Sequence, residues 1–159
     1  MSRYAATTEV PADRTRSEIE RTLQRYGATS FAYGWEGSRA VIMFALANRR
    51  IRFVLPLPDR DAREFTYTET GRQRTVSSSE QAYEQAVRQR WRALGLVIKA
   101  KLEAVAAEIT TVEDEFLAHI VLPDGRTVGD HTRPSVAEAY QSGLMSGPLL
   151  PALGPGAEQ

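Results

Sequence analysis

The sequence predicts an α+β fold: an antiparallel β-meander packed against one long amphipathic helix, with short C-terminal helices. Three observations carry this expectation. Residues 31–55 break into three apolar, strand-like runs separated by turn residues. Residues 83–109 carry one apolar stripe at helical spacing. Beyond residue 110, Pro, Gly and acidic clusters cut the chain into short pieces.

Residues 1–12 read as a flexible lead-in that closes with Pro11. Thr15-Arg16-Ser17-Glu18 fits a capping box, in which the hydroxyl accepts from a first-turn amide and the carboxylate reaches back. Ile19, Leu23 and Tyr26 follow at helical spacing, and Gly27 fits a C-cap. Arg14, Arg21 and Arg25 fall off that apolar stripe.

The first strand-like run alternates Phe31, Tyr33 and Trp35 with Ala32 and Gly34, and Glu36-Gly37-Ser38 can turn the chain. The second, residues 39–46, is apolar on both faces and is expected as a buried central strand. Asn48-Arg49 is expected as the next turn. Ile51, Phe53 and Leu55 then alternate with Arg52 and Val54, until Pro56 and Pro58 end the strand. A weaker hairpin, or an Arg-bearing finger, follows: Phe65 and Tyr67 lead in, Glu69-Thr70-Gly71 turns, and Arg72, Arg74 and Val76 lead out.

Ser77-Ser78-Ser79-Glu80 fits a second capping box. Tyr83, Val87, Trp91, Leu94, Ile98, Leu102, Val105 and Ile109 then recur every three or four residues, an amphipathic stripe over about eight turns. Gly95 is its one weak point, at ~1 kcal/mol relative to Ala. Thr111 is placed to cap a short helix with Glu113, Asp114 and Glu115 in its first turn, where the helix dipole favours acids. Phe116, Leu117 and Ile120 give that helix an apolar side. Pro123-Asp124-Gly125 is a tight turn, and Pro134 is expected to open a last helix that runs to Ser142 and closes at Gly143. One domain over residues 13–143 and an irregular Pro/Gly-rich tail over 144–159 complete the expected organisation.

The net charge of zero, from 20 basic and 20 acidic residues, hides a division. Residues 1–101 hold 18 basic and 11 acidic side chains, so +7; residues 102–159 hold 2 and 9, so −7. Among the basic residues, 18 are Arg and only Lys99 and Lys101 are Lys. Such a split points to a polyanionic partner for the basic part. The absence of Cys excludes disulfides, thiolate zinc sites and a Cys nucleophile. No run of ~18 apolar residues predicts a membrane span, and residues 1–11 lack the apolar segment of a secretory signal. A cytoplasmic location is the expectation.

Motifs for chemistry are missing. There is no Gly-rich phosphate loop, dinucleotide fingerprint or nucleophile elbow. His119, His131, Asp130 and the acidic trio 113–115 show no metal-ligand spacing. Neither catalytic residues nor a metal nor a cofactor is therefore expected. The cations are more informative. Arg88, Arg92 and Lys99 stack along one helix face, about 100° round from the apolar stripe. No acid stands four residues before Arg92 or Lys99 to neutralise it. Arg49, Arg50 and Arg52 cluster at a strand turn, and Arg72 and Arg74 lie on the finger. Tyr33 and Trp35 offer aromatic faces. Together these ten residues are expected to form a groove for single-stranded nucleic acid, with charge for phosphates and rings for unstacked bases. Leu96, nearly opposite the stripe, suits self-association into a homo-oligomer.

Residues 88–103, joined to Glu115-Phe116-Leu117-Ala118-His119-Ile120 and on through Gly129, carry a resemblance. With Tyr33-Gly34-Trp35 and residues 53–59, they resemble a family of short, uncharacterised proteins from tailed phages and prophages, over most of residues 4–151. The resemblance implies a phage setting, with the host cytoplasm as location, and brings no activity with it. The order of strands and long basic helix is also similar, in topology alone, to the core of Rad52-like single-strand annealing proteins. These bind single strands in a basic groove between sheet and helix and form rings or filaments. The expected function is accordingly single-stranded DNA binding or annealing in phage replication or recombination. The alternative is a small interaction module, such as an inhibitor of a host defence or host polymerase.

Overall fold

The computed structural model describes the backbone of residues 3–150 and the side chains of residues 12–150. The elements are α1 (Arg3–Arg25), β1 (Ser30–Glu36), β2 (Arg39–Leu46), β3 (Arg49–Pro56), α2 (Arg63–Thr66), α3 (Val76–Ala106), α4 (Val112–Phe116), a 3-10 turn (Leu117–His119) and α5 (Val128–Ser142). This is the expected α+β arrangement.

The strands form an antiparallel meander in the order β1-β2-β3. Tyr33 stands opposite Ile42, and Ile42 opposite Phe53, so Phe31, Tyr33, Ile42, Phe44, Ile51 and Phe53 share one face. Two-residue turns set this register. The second turn is Ala47-Asn48, both left-handed (φ 49° and 59°), one residue earlier than expected; Arg49 already belongs to β3.

The α3 stripe covers that face. Tyr83, Val87, Trp91, Leu94, Ile98 and Leu102 are all buried, with Phe44 and Phe116 among the other fully enclosed side chains. Phe116 meets both Phe44 and Phe53 edge-on. Ile19 and Leu23 carry α1 into the same core, alongside α3. The two helices run in the same direction: Ile19 and Thr15 approach Gly95, and Tyr26 donates its hydroxyl hydrogen to Glu103. A Cβ on Gly95 would lie 3.4 Å from Ile19 Cγ1, an ordinary contact distance, so Gly95 marks where the two helices meet.

Several boundaries differ from expectation, each for a local reason. No helix starts at Thr15, because α1 begins at Arg3 and Thr15 is interior to it. Thr75 caps α3 by accepting from the Ser78 amide, and Glu80, expected to complete a box with Ser77, holds Arg60 instead. The stripe stops short of Ile109, which is 80% exposed. Glu108 takes φ 58° and the amides of Glu108 and Ile109 bond back to Val105 and Ala104, a Schellman ending without its usual glycine. The finger is mostly not strand: Phe65 is buried in α2 against Tyr83, and only Tyr67 and Gln73 bridge. Pro134 lies inside α5 rather than opening it. The helix starts at Val128 under a capping box of Thr127 and Asp130. Pro134 cannot donate to the Asp130 carbonyl, and the Arg126 guanidinium donates to it at 3.1 Å. Thr111 caps α4 as expected.

The largest departure concerns β2. Its second face, with Val41, Met43 and Ala45, is only half-buried, and Val54 beside it is 44% exposed. The strand is apolar on both faces, yet the fold covers one. Trp91 has 1% exposure at the centre of the covered side. Trp91→Ala is expected to lower unfolding free energy by about 3–5 kcal/mol in urea denaturation; a loss under about 1 kcal/mol would contradict this packing.

Candidate functional site

Parallel packing of α1 and α3 leaves a crease on the side away from the sheet, about 750 Å3 in volume. Thr15, Thr22, Gly95 and Leu96 line it between two rows of cations. From α1 come Arg14, Arg21 and Arg25; from α3 come Arg88, Arg92 and Lys99. In each row the first and last cation are 11 residues apart, about 16 Å along the helix. Among the described residues Glu18 is the one acid in the lining, and Arg14 donates to it at 3.3 Å. Arg21, Arg25, Arg88, Arg92 and Lys99 make no hydrogen bond or ion pair with any described residue. Arg21 and Arg25, and Arg88 and Arg92, are each four residues apart, about 6 Å along the helix, and so repel within the ~8 Å over which charges are screened at physiological ionic strength. An anion laid along the crease relieves that repulsion.

The other expected cations lie elsewhere, in ion pairs or at separate surfaces. Arg49 is bonded to Glu113. Arg52 donates to the Gly125 carbonyl at 3.0 Å and to Asp130 at 3.4 Å. Arg50 is exposed on the open face of the sheet. On the finger, Arg72 is exposed, while Arg74 donates to the Tyr67 carbonyl at 3.2 Å. Tyr33 is half-buried with its ring 5.5 Å from that of Trp91 and the Arg16 guanidinium 4.2 Å above it. Trp35, 55% exposed, is 6.2 Å from Tyr33 at the sheet edge. Helix face, strand turn and finger therefore do not converge. The structure joins Arg88, Arg92 and Lys99 to three arginines of α1 instead. Those three were visible as off-stripe cations, but only the tertiary pairing of the helices shows what they face.

The acidic stretch is spent on structure. Glu113 holds Arg49, and the Lys101 ammonium donates to both the Glu115 carboxylate (3.1 Å) and its carbonyl (2.9 Å). His119 stacks on Phe53 at 4.0 Å, and burial, with Lys101 nearby, lowers its pKa. His131 Nε2 lies 2.6 Å from Asp124 Oδ2. The Arg126 backbone amide, followed by His131, holds the Asp124 carboxyl below its usual range. Among the described residues no three His, Asp or Glu side chains cluster to hold a metal ion. No helix among them is long and apolar enough to cross a membrane.

Asp130 is the most perturbed carboxyl. The backbone amide of Thr127, with its hydroxyl and the Arg133 guanidinium, holds it at about 2, against the opposing effect of burial. In comparisons with protein-family models, curated proteins and solved structures, nothing matches this chain.

Since the folded state depresses the Asp130 pKa below its ordinary 3.8, the stabilisation is complete above that value and disappears as pH falls toward about 2. Wild type is expected to exceed Asp130→Asn in urea midpoint near neutral pH, with the gap closing between about pH 4 and pH 2. A gap independent of pH would contradict the assigned contacts.

Proposed function

We propose that this chain is a non-enzymatic nucleic-acid-binding protein that holds a phosphate backbone in the crease between α1 and α3. The observation that supports this most is the set of five cations without partners among the described residues, aligned along one groove. A polymer with regularly repeated charge suits two rows of that length better than a single small anion does. Four of the five are Arg, whose planar fork grips phosphate through two hydrogen bonds.

A single strand suits the crease better than a duplex, because the lining is a furrow between two helices and not a broad saddle. Among the described residues no aromatic side chain lines it. The contact is therefore made with the backbone, leaving bases outward and sequence preference weak. Tyr33 and Trp35 belong to a separate surface in this reading. In the phage setting that the resemblance implies, the process we propose for this binding is replication or recombination. The alternative of a protein inhibitor finds less support, since the acidic side chains it would present are largely engaged within the chain.

Fluorescence anisotropy with a labelled single-stranded oligonucleotide, across a salt series, tests the proposal. Five phosphate contacts give a log–log slope near −3.5, at about −0.7 per contact. Arg88→Ala with Arg92→Ala is expected to flatten the slope by about 1.4 and weaken binding at least about tenfold. Arg49→Ala is expected to leave both unchanged. No binding at low salt would overturn the proposal and favour an acidic protein partner.

A further inference from the structure

The second face of the sheet and the end of α5 are two apolar surfaces that the fold leaves without cover. On the sheet, Val41 of β2 stands between Gly34 of β1 and Val54 of β3, and Met43 between Ala32 and Arg52, and none of the six is buried. Strands facing solvent on one side normally carry polar residues there. Here Arg39 and Arg50 stand at the ends of the patch, and Arg52, opposite Met43, is drawn aside to the Gly125 carbonyl and Asp130. A β2 that is apolar on both faces suits a strand with cover on both sides.

The second surface is an arm. The first turns of α5 are fixed beside β3: Asp130 takes the Arg52 guanidinium, which projects from this same open face, and Gly129 packs so closely that a Cβ would lie 2.8 Å from the Ala118 carbonyl. Its last turns lose contact. Tyr140 is 89% exposed, and Leu144 and Met145 beyond it are about as open, at 70% and 69%. The one charged residue between Pro134 and Leu150 is Glu138. Arg50, on the open face, makes no ion pair with a described residue.

We infer that the open sheet face is covered by the α5 arm of a second copy of this chain, in a reciprocal exchange about a two-fold axis. Area decides for reciprocity. A patch of three strands by about seven residues measures roughly 330 Å2, from spacings of about 4.8 Å and 3.3 Å. One arm on one sheet then buries about 700 Å2 in total, the size of an incidental contact. Two exchanged arms bury about 1,400 Å2, within the range of stable dimers. Charge agrees: Glu138 is the only charge on the arm, and Arg50 is a cation on the receiving face with no acid beside it. The surface lies on the opposite side of the sheet from α1 and α3, so the inference is independent of the crease.

Sedimentation velocity on the full chain without nucleic acid, at about 1–100 μM, tests it. The wild-type chain is expected to sediment at twice the chain mass. Met43→Glu on the sheet and Tyr140→Glu with Leu144→Glu on the arm are each expected to weaken the dimer at least about tenfold. Circular dichroism checks that each variant keeps its helix content. The arm variant removes only exposed side chains, so it remains decisive if the sheet variant fails to fold. A monomeric wild type overturns the inference, as does a dimer indifferent to the arm substitutions.

Discussion

Burial of one α3 face against both the sheet and α1 is the constraint on which the remaining structure depends. The stripe from Tyr83 to Leu102 is long enough to span the meander and leave a flank for a second helix. Ile19 and Leu23 of α1 fill that flank, with Ile19 and Thr15 against Gly95. Once the helices lie parallel, their orientations about their own axes are fixed by what they bury. Arg14, Arg21 and Arg25 must then face Arg88, Arg92 and Lys99 across a common crease. Charge accumulates there because apolar packing puts it there, at the expense of mutual repulsion.

The net charge of zero resolves into two parts at the level of side chains. Arg49 with Glu113, Arg52 with Asp130, and Lys101 with Glu115 tie the basic stretch of the chain to its acidic end. The exposed pair Arg49–Glu113 contributes roughly 0–1 kcal/mol, while the other two are largely shielded from solvent. Their consequence is subtractive. They neutralise Arg49, Arg52 and Lys101 and leave the crease as a concentration of unopposed positive charge among the described residues.

Much of this fold was legible in the sequence because its main elements obey a single period each. Phe31, Tyr33 and Trp35 alternate as a strand must, and the α3 stripe keeps its spacing for six buried positions before failing at Ile109. The failures are at ends, where several residues compete for one role. Thr75 and Ser77 both suit an N-cap, and Asp59-Arg60 packing claims Glu80 through Arg60. The Schellman ending at Glu108 lacks glycine, so no residue type announces it. Pro134 is tolerated in mid-helix only because a distant guanidinium, that of Arg126, takes the orphaned carbonyl. The site divided in the same way. Arg88, Arg92 and Lys99 were legible from one helix alone, through the lack of neighbouring acids. Their facing row was not, because no local pattern states that α1 lies beside α3. Arg49 and Arg52 misled, because their partners are 64 and 78 residues away in the chain.

The central claim is that packing and ion pairing together reserve the α1–α3 crease for a polyanion. Arginine side-chain Nε–H resonances, followed by NMR while a single-stranded oligonucleotide is added, test it most directly. The account expects the signals of Arg21, Arg25, Arg88 and Arg92 to shift together, with those of Arg49 and Arg52 unmoved. Shifts confined to Arg49, Arg52 or Arg72, with the crease silent, would contradict it.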